Sequence, residues 1–89
     1  MKVLITGVSQ GIGNAMVRKF LQEGHEVVGF DVKSKPLNIE TANPKNWEFF
    51  CVDVRDKAQL PEIEGVEILI TNAGVQDEEN AIAVNLQGI

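Results

Sequence analysis

Four short apolar runs punctuate the chain, at Val3 to Thr6, Val27 to Phe30, Phe49 to Val52 and Val66 to Thr71. Each is rich in β-branched or aromatic residues and too short for a helix of average length, so each predicts a strand. Their apolar residues run nearly unbroken instead of alternating with polar ones. That is the pattern of strands covered on both faces, as in a parallel sheet with helices lying between its strands. Between the first two runs the period changes. From Gly11 to Glu23, Ile12, Met16 and Phe20 form one row at helical spacing and Val17 and Leu21 an adjacent one, while Asn14, Arg18, Lys19, Gln22 and Glu23 fall on the other side. This predicts an amphipathic helix, with Gly24 placed to cap its C-terminus. Strand, glycine turn, helix and strand make a βαβ unit, expected to cross over right-handed.

Later segments are less regular. Lys33 to Asn46 holds Pro36, Pro44 and three asparagines, which predicts a polar loop or a second crossover too broken for a long helix. Asp56 to Gly65 supports one or two helical turns, with Asp56 as N-cap and Pro61 limiting extension. Asp77 is expected to cap a last helix from Glu78 onward, whose acidic first turn suits the positive end of the helix dipole. The 89 residues, 1–89, contain no internal repeat or linker and make one domain at most.

Composition narrows the function classes. With 44% hydrophobic and 24% charged residues the chain is ordinary for a globular fold, and no run approaches the roughly 20 apolar residues needed to span a bilayer. Lys2 is followed by too short an apolar stretch for a secretory signal, so a cytosolic setting is expected and no membrane partner. The net charge is −5, and the eight Lys and Arg are scattered from Lys2 to Lys57, which argues against nucleic acid. Cys51, the single cysteine, lies within an apolar run and is expected to be a buried structural thiol. His25, the single histidine, precedes the second strand and is expected on the solvent side of a loop. No spacing indicates a metal site.

The most informative stretch is "TGVSQGIG", Thr6 to Gly13, directly after the first strand and opening the helix. A strand that enters a helix through a tight glycine turn places unpaired helix N–H groups at the carboxyl end of the sheet, where an anion belongs. Gly7 permits the turn, Gly11 lets a pyrophosphate approach the backbone with no Cβ in the way, and Gly13 lets the helix pack closely. Ser9 is expected to add a hydroxyl donor to phosphate, and Gln10 and Ile12 complete the expected cofactor seat. Asp31 lies 24 residues after Gly7, at the end of the second strand, where a carboxylate accepts hydrogen bonds from the adenosine ribose hydroxyls. The same charge repels a 2′-phosphate, so NAD is preferred. Lys33 and Lys35 stand close enough to keep NADP open.

The spacing Gly-x-x-x-Gly-x-Gly after Thr6 resembles that of the short-chain dehydrogenase/reductase family. Three further motifs follow in the family's order: Asp53-Val54 after the third strand, Asn72-Ala73-Gly74 after the fourth, and Val84-Asn85-Leu86-Gln87-Gly88. The resemblance implies an α/β fold, a Rossmann-type doubly wound parallel sheet, of which this chain carries the first four of about seven strands. It implies the Asp53 carboxylate at the adenine amino group, the Val54 amide at a ring nitrogen, and Asn72, Ala73 and Gly74 steadying the sheet and lining the cofactor site. It implies Asn85 as the helix asparagine of a catalytic tetrad. The implied activity is NAD(P)-dependent hydride transfer between nicotinamide and a small alcohol or carbonyl substrate, a 3-oxoacyl thioester among the candidates, in a homo-oligomer.

The chain also departs from the family pattern. Thr71 stands in place of the first asparagine of the family's Asn-Asn-Ala-Gly signature, and only ten residues separate Gly74 from Asn85. The family's serine and Tyr-x-x-x-Lys are absent: there is no tyrosine, Ser9 and Ser34 come too early, and no lysine follows Lys57. These 89 residues are therefore expected to bind cofactor without catalysis by themselves. A free-standing NAD-binding module and a non-functional remnant are the competing expectations. In either case Glu67 to Thr71 is expected to be an apolar sheet edge prone to self-association.

Overall fold

The computed structural model describes residues 1–9 and 11–72. The expected helix from Glu78 lies outside these residues. Strand β1 (Lys2–Thr6) enters helix α1 (Gly11–Gln22), which returns to β2 (Glu26–Asp31); β3 (Trp47–Cys51) and β4 (Ile68–Ile70) follow. All pairings are parallel and the strand order is β3-β2-β1-β4. The register aligns Val3 with both Val27 and Ile68, and Ile5 with both Gly29 and Ile70. Strand order reverses at β1, so the crevice at its carboxyl end is the topological switch point where ligands of such sheets sit.

Two apolar layers sandwich the sheet. Val3, Ile5 and Val27 face α1 and meet Val17 and Leu21, while Leu4, Val28 and Phe30 face the opposite way and meet Leu60 and Ile63. Val3, Leu4 and Ile5 are all fully buried, as expected of an interior strand covered on both sides. Each large aliphatic side chain so buried contributes about 1.5–3 kcal/mol. The outer strands are less covered: Glu48 and Cys51 of β3 are exposed, and β4 is half-buried throughout. Cys51 is thus not the buried thiol that its apolar neighbours indicated. It ends a strand that among the described residues lies at the sheet edge and pairs only with β2, and its Sγ lies 3.5 Å from the Val32 carbonyl oxygen.

Helix α1 ends as its sequence predicts. Gly24 has φ of +88°, its N–H donates to the Leu21 carbonyl at 3.0 Å, and the His25 N–H donates to the Phe20 carbonyl at 3.0 Å. That pair of bonds is the Schellman cap. The hydrophobic contact that accompanies it is the Phe20 ring against His25, centroids 5.7 Å apart, which leaves His25 half-buried and not simply on the solvent side.

Two expectations for α1 are corrected. Ile12 is 70% exposed, whereas Met16 and Phe20 of the same row are half-buried. Asn14, assigned to the polar side, is only 4% exposed. The first turn of α1 stands at the open end of the sheet, so Ile12 projects past the core while Asn14 turns toward the glycine turn and the segment after β2. The other crossovers hold no α-helix: Pro44–Asn46 and Lys57–Gln59 are single 3₁₀ turns. Asp56 caps the second as predicted, its carboxylate accepting from the Ala58 N–H at 3.1 Å. Extended chain around Pro61 then covers the sheet face with Leu60 and Ile63 in place of a helix.

Candidate functional site

The glycine turn continues the sheet before leaving it. The Gly7 N–H donates to the Phe30 carbonyl at 2.8 Å, and Gly7 and Gly11 adopt φ of +72° and +64°. The end of β4 is sewn to the same turn. The Asn72 N–H donates to the buried Thr6 Oγ1 at 3.1 Å and its Nδ2 donates to the Gly7 carbonyl at 3.2 Å. Sequence reasoning noted Thr6 only as a neighbour of the glycines, although a threonine hydroxyl at a strand end is a ready partner for an adjoining backbone.

The remaining two glycines of the motif do different things. A Cβ built on Gly13 would overlap the Gly7 carbonyl oxygen and lie 2.8 Å from Asn72 Nδ2, so α1 can sit this close to the turn only with hydrogen at that position. A Cβ built on Gly11 would meet nothing within 4 Å among the described residues. Packing therefore explains Gly13, and backbone conformation together with open space explains Gly11. No acidic residue occupies the first turn of α1, so no carboxylate within the helix itself offsets its positive end.

The open space is an exposed cleft of about 340 Å³ lined by Gly7, Gly11, Ile12, Asp31, Lys33 and Asn72. Five of these were singled out in the sequence as cofactor residues, and the fold brings them together from β1, α1, β2 and the end of β4. Asp31 is held rigidly at its rim. Its Oδ2 accepts from the Ser9 N–H at 3.0 Å and its Oδ1 from the Lys33 N–H at 2.9 Å. A carboxylate offers about four acceptor positions, so roughly one per oxygen remains for a vicinal diol. The Ser9 hydroxyl, expected to face phosphate, instead donates to the Ser34 carbonyl at 3.0 Å. Ser9 thus braces Asp31 and the segment behind it.

Asp53 and Val54 lie apart from this cleft's lining. Asp53 borders a smaller hollow of about 250 Å³ with Val32, Cys51, Val52 and Gln59, while Val54 packs beside Leu60 and Ile63. The Asp53 carboxylate is gripped by Arg55: Nε to Oδ1 at 3.1 Å, a terminal guanidinium nitrogen to Oδ2 at 3.0 Å, and the Arg55 N–H to Oδ1 at 3.0 Å. These bonds hold the Asp53 pKa below the ordinary carboxylate value, the guanidinium hydrogen bonds first and the backbone bond second. The sign follows from linkage. With the folded pKa below the unfolded one, the contribution to stability is complete above about pH 3.9 and is lost as pH falls through the lower folded value. Arg55→Ala should return the Asp53 titration, followed by NMR of its carboxyl carbon, toward the ordinary range. The stability difference between wild type and variant should shrink on acidification through that window. An unshifted Asp53 titration in the variant would show that Arg55 is not the cause.

Of the other expected site residues, Gln10, Ala73, Gly74 and Asn85 lie outside the described residues. Asn14 is the residue that sequence reasoning missed. Its Nδ2 donates to the Val8 carbonyl at 3.0 Å and to Asn38 Oδ1 at 3.0 Å, and its Oδ1 accepts from Asn38 Nδ2 at 2.9 Å and Arg18 Nε at 3.2 Å. A polar residue within a glycine motif was the available signal, but its partner lies 24 positions away in an irregular loop. Among the described residues no group of His, Cys, Asp or Glu is arranged to hold a metal ion, and no helix is long and apolar enough to cross a membrane.

Comparison with known proteins agrees with this geometry. Residues 1–89 match the family described as short chain dehydrogenase. An NADP-dependent 3-hydroxy acid dehydrogenase of Escherichia coli is 30% identical over 84 residues, covering 84% of this chain and 34% of that protein. The NAD(+)-dependent 15-hydroxyprostaglandin dehydrogenase of Bos taurus is 32% identical, covering 97% of this chain and 39% of that protein. In structure, a short chain dehydrogenase of Leptospira borgpetersenii with bound NAD+ superposes with a TM-score of 0.70 at 25% identity, over 98% of this chain and 41% of that one. The chain therefore spans 34–41% of the length of these relatives. With the βαβ glycine turn, the 3-2-1-4 parallel order and a match along its whole length, the chain belongs to the short-chain dehydrogenase family.

Proposed function

We propose that residues 1–89 form the dinucleotide-binding part of an NAD(P)-dependent dehydrogenase that transfers hydride between nicotinamide and a small alcohol or carbonyl compound. The observation that carries the reading is the juxtaposition of a Gly11 backbone that no described residue obstructs, the N-terminal turn of α1 with no acidic residue in it, and the braced Asp31 carboxylate around one cleft. These residues fit the group. Gly7, Gly11, Gly13 and the α1 N-terminus would hold the pyrophosphate, and Asp31 would accept from the adenosine ribose. Ile12 would supply apolar cover, and Asp53 and Val54 would serve the adenine end. When bound, the dinucleotide supplies the hydride chemistry, and the contribution of this part of the chain is seating and orientation. Asn85 is proposed as the tetrad asparagine.

NAD is the preferred cofactor in this reading, because the Asp31 charge at the rim opposes a 2′-phosphate. The names of the two relatives, one NADP-dependent and one NAD(+)-dependent, leave the family open on that point. Both describe dehydrogenation of a hydroxy compound, which supports the reaction class. Without a tyrosine, these residues are proposed to bind nucleotide and not to turn over substrate. Titration calorimetry of the chain with NAD and NADP tests the proposal: saturable NAD binding, with NADP weaker, is the expected result. Absence of binding by both at millimolar nucleotide would overturn it, and tighter NADP binding would overturn the preference alone.

A further inference from the structure

We propose that Asn14 and Asn38 form a side-chain clasp that preorganises the ribose-side wall of the cleft, making them positioning residues for nucleotide that stand apart from the cleft lining. The inference rests on the nucleotide-binding reading above. Its physical basis is the reciprocal amide pair, Asn14 Nδ2 to Asn38 Oδ1 at 3.0 Å and Asn38 Nδ2 to Asn14 Oδ1 at 2.9 Å. With the bonds to Val8 and Arg18, every hydrogen-bonding position of the Asn14 amide is filled. Nothing about α1 itself calls for this residue: asparagine is a poorer helix former than alanine, and a buried amide is costly unless fully bonded. Its contacts, not its propensity, justify its place.

Those contacts link the two parts of the chain that flank the cleft. Through Val8, Asn14 holds the glycine turn; through Asn38, it holds the far end of the segment that follows Asp31. The near end of that segment is already tied down, by Asp31 to the Ser9 and Lys33 amides and by the Ser9 hydroxyl to the Ser34 carbonyl. Lys33, which lines the cleft, is therefore carried on a stretch of irregular chain fixed at both ends. An irregular stretch ordered before the ligand arrives spares the ligand the entropy of ordering it. Leu37, next to the clasp, is 97% exposed and anchors nothing, whereas Pro36 is buried and Ile39 packs against the α1 side of the core, so the clasp adds directional polar ties to those apolar contacts.

The test uses Asn38→Ala, because Asn38 is exposed and its loss leaves the Asn14–Val8 bond in place, with Leu37→Ala as control. Three measurements on the chain suffice: NAD affinity by calorimetry, melting temperature, and amide hydrogen exchange of residues 33–39 without nucleotide. Asn38→Ala should weaken NAD binding about 3- to 10-fold, the worth of one hydrogen-bonded contact, and speed exchange in that segment while leaving the melting temperature close to wild type. Leu37→Ala should match wild type in all three. Asn14→Ala should weaken NAD binding at least as much, since it also frees Val8. If wild type binds NAD and Asn38→Ala binds it equally well, the clasp inference fails and the nucleotide-binding reading stands. A loss of affinity matched by a fall in melting temperature, with exchange in residues 33–39 unchanged, would also overturn it. If wild type binds no nucleotide, both fail.

Discussion

Gly13→Ala should destabilise the fold by about 2 kcal/mol or more, although alanine is the better helix former. Two effects oppose each other. In a helix, replacing glycine with alanine gains roughly 0.5–1 kcal/mol through lower backbone entropy in the unfolded chain and better propensity. Against this, the new methyl overlaps the Gly7 carbonyl oxygen and stands 2.9 Å from the Gly7 carbonyl carbon and 2.8 Å from Asn72 Nδ2. None of these atoms is the free end of a flexible side chain. Gly7 is held by its N–H bond to the Phe30 carbonyl, and Asn72 by its bonds to Thr6 and Gly7. Relief requires α1 to move off the turn, which loosens Val17 and Leu21 from the sheet. Overpacking of this kind costs typically about 1–3 kcal/mol, and immobile backbone puts the case at the upper end. Urea denaturation monitored by circular dichroism checks it through a lowered midpoint at unchanged slope. A midpoint equal to or above wild type would mean that the helix does not approach the turn as closely as described.

Gly11→Ala should show the opposite balance, a modest stability loss with a large loss of nucleotide affinity. A methyl at Gly11 meets no atom of the described residues, so the cost to the fold is that of the left-handed conformation, about 1–2 kcal/mol for an L-residue at φ of +64°. The space it enters is the space proposed for the pyrophosphate. Displacing an anion from even one charge-assisted hydrogen bond costs about 1.5–3 kcal/mol, which corresponds to roughly a 10- to 100-fold weaker complex. Calorimetry with NAD at a temperature where the variant remains folded is the measurement. Wild-type affinity in Gly11→Ala would place the pyrophosphate elsewhere. The two substitutions add the same methyl two residues apart in one motif and separate its functions: packing at Gly13, ligand access at Gly11.

Much of the fold follows from local pattern. The runs from Val3, Val27 and Phe49 became strands within a residue or two, and Val66 to Thr71 shortened to Ile68–Ile70. Helix α1 and its Gly24 cap are where the period change places them. These elements are legible because each is encoded by neighbours: apolar continuity for a buried strand, the 3.6-residue period for a helix, glycine for a left-handed cap. The later crossovers, read from Pro36, Pro44 and Pro61 as too broken for a long helix, hold only single 3₁₀ turns, and the second apolar layer is made by Leu60 and Ile63 on extended chain.

By itself, then, the sequence determined the βαβ unit, the glycine turn and the acidic strand end, because those are properties of short segments and of spacing along one chain. Only the tertiary structure decided which side chains serve the site and how. Sequence neighbours alone assigned Cys51 to the interior, and the position of β3 at the sheet edge exposes it. The helical row assigned Ile12 to the core and Asn14 to solvent, and the end-on placement of α1 exchanges them. Ser9 turns from phosphate to Ser34, and Asn14 finds Asn38, through contacts between residues 25 and 24 positions apart. Such pairings depend on where two separate segments are brought in space, and no local periodicity records that.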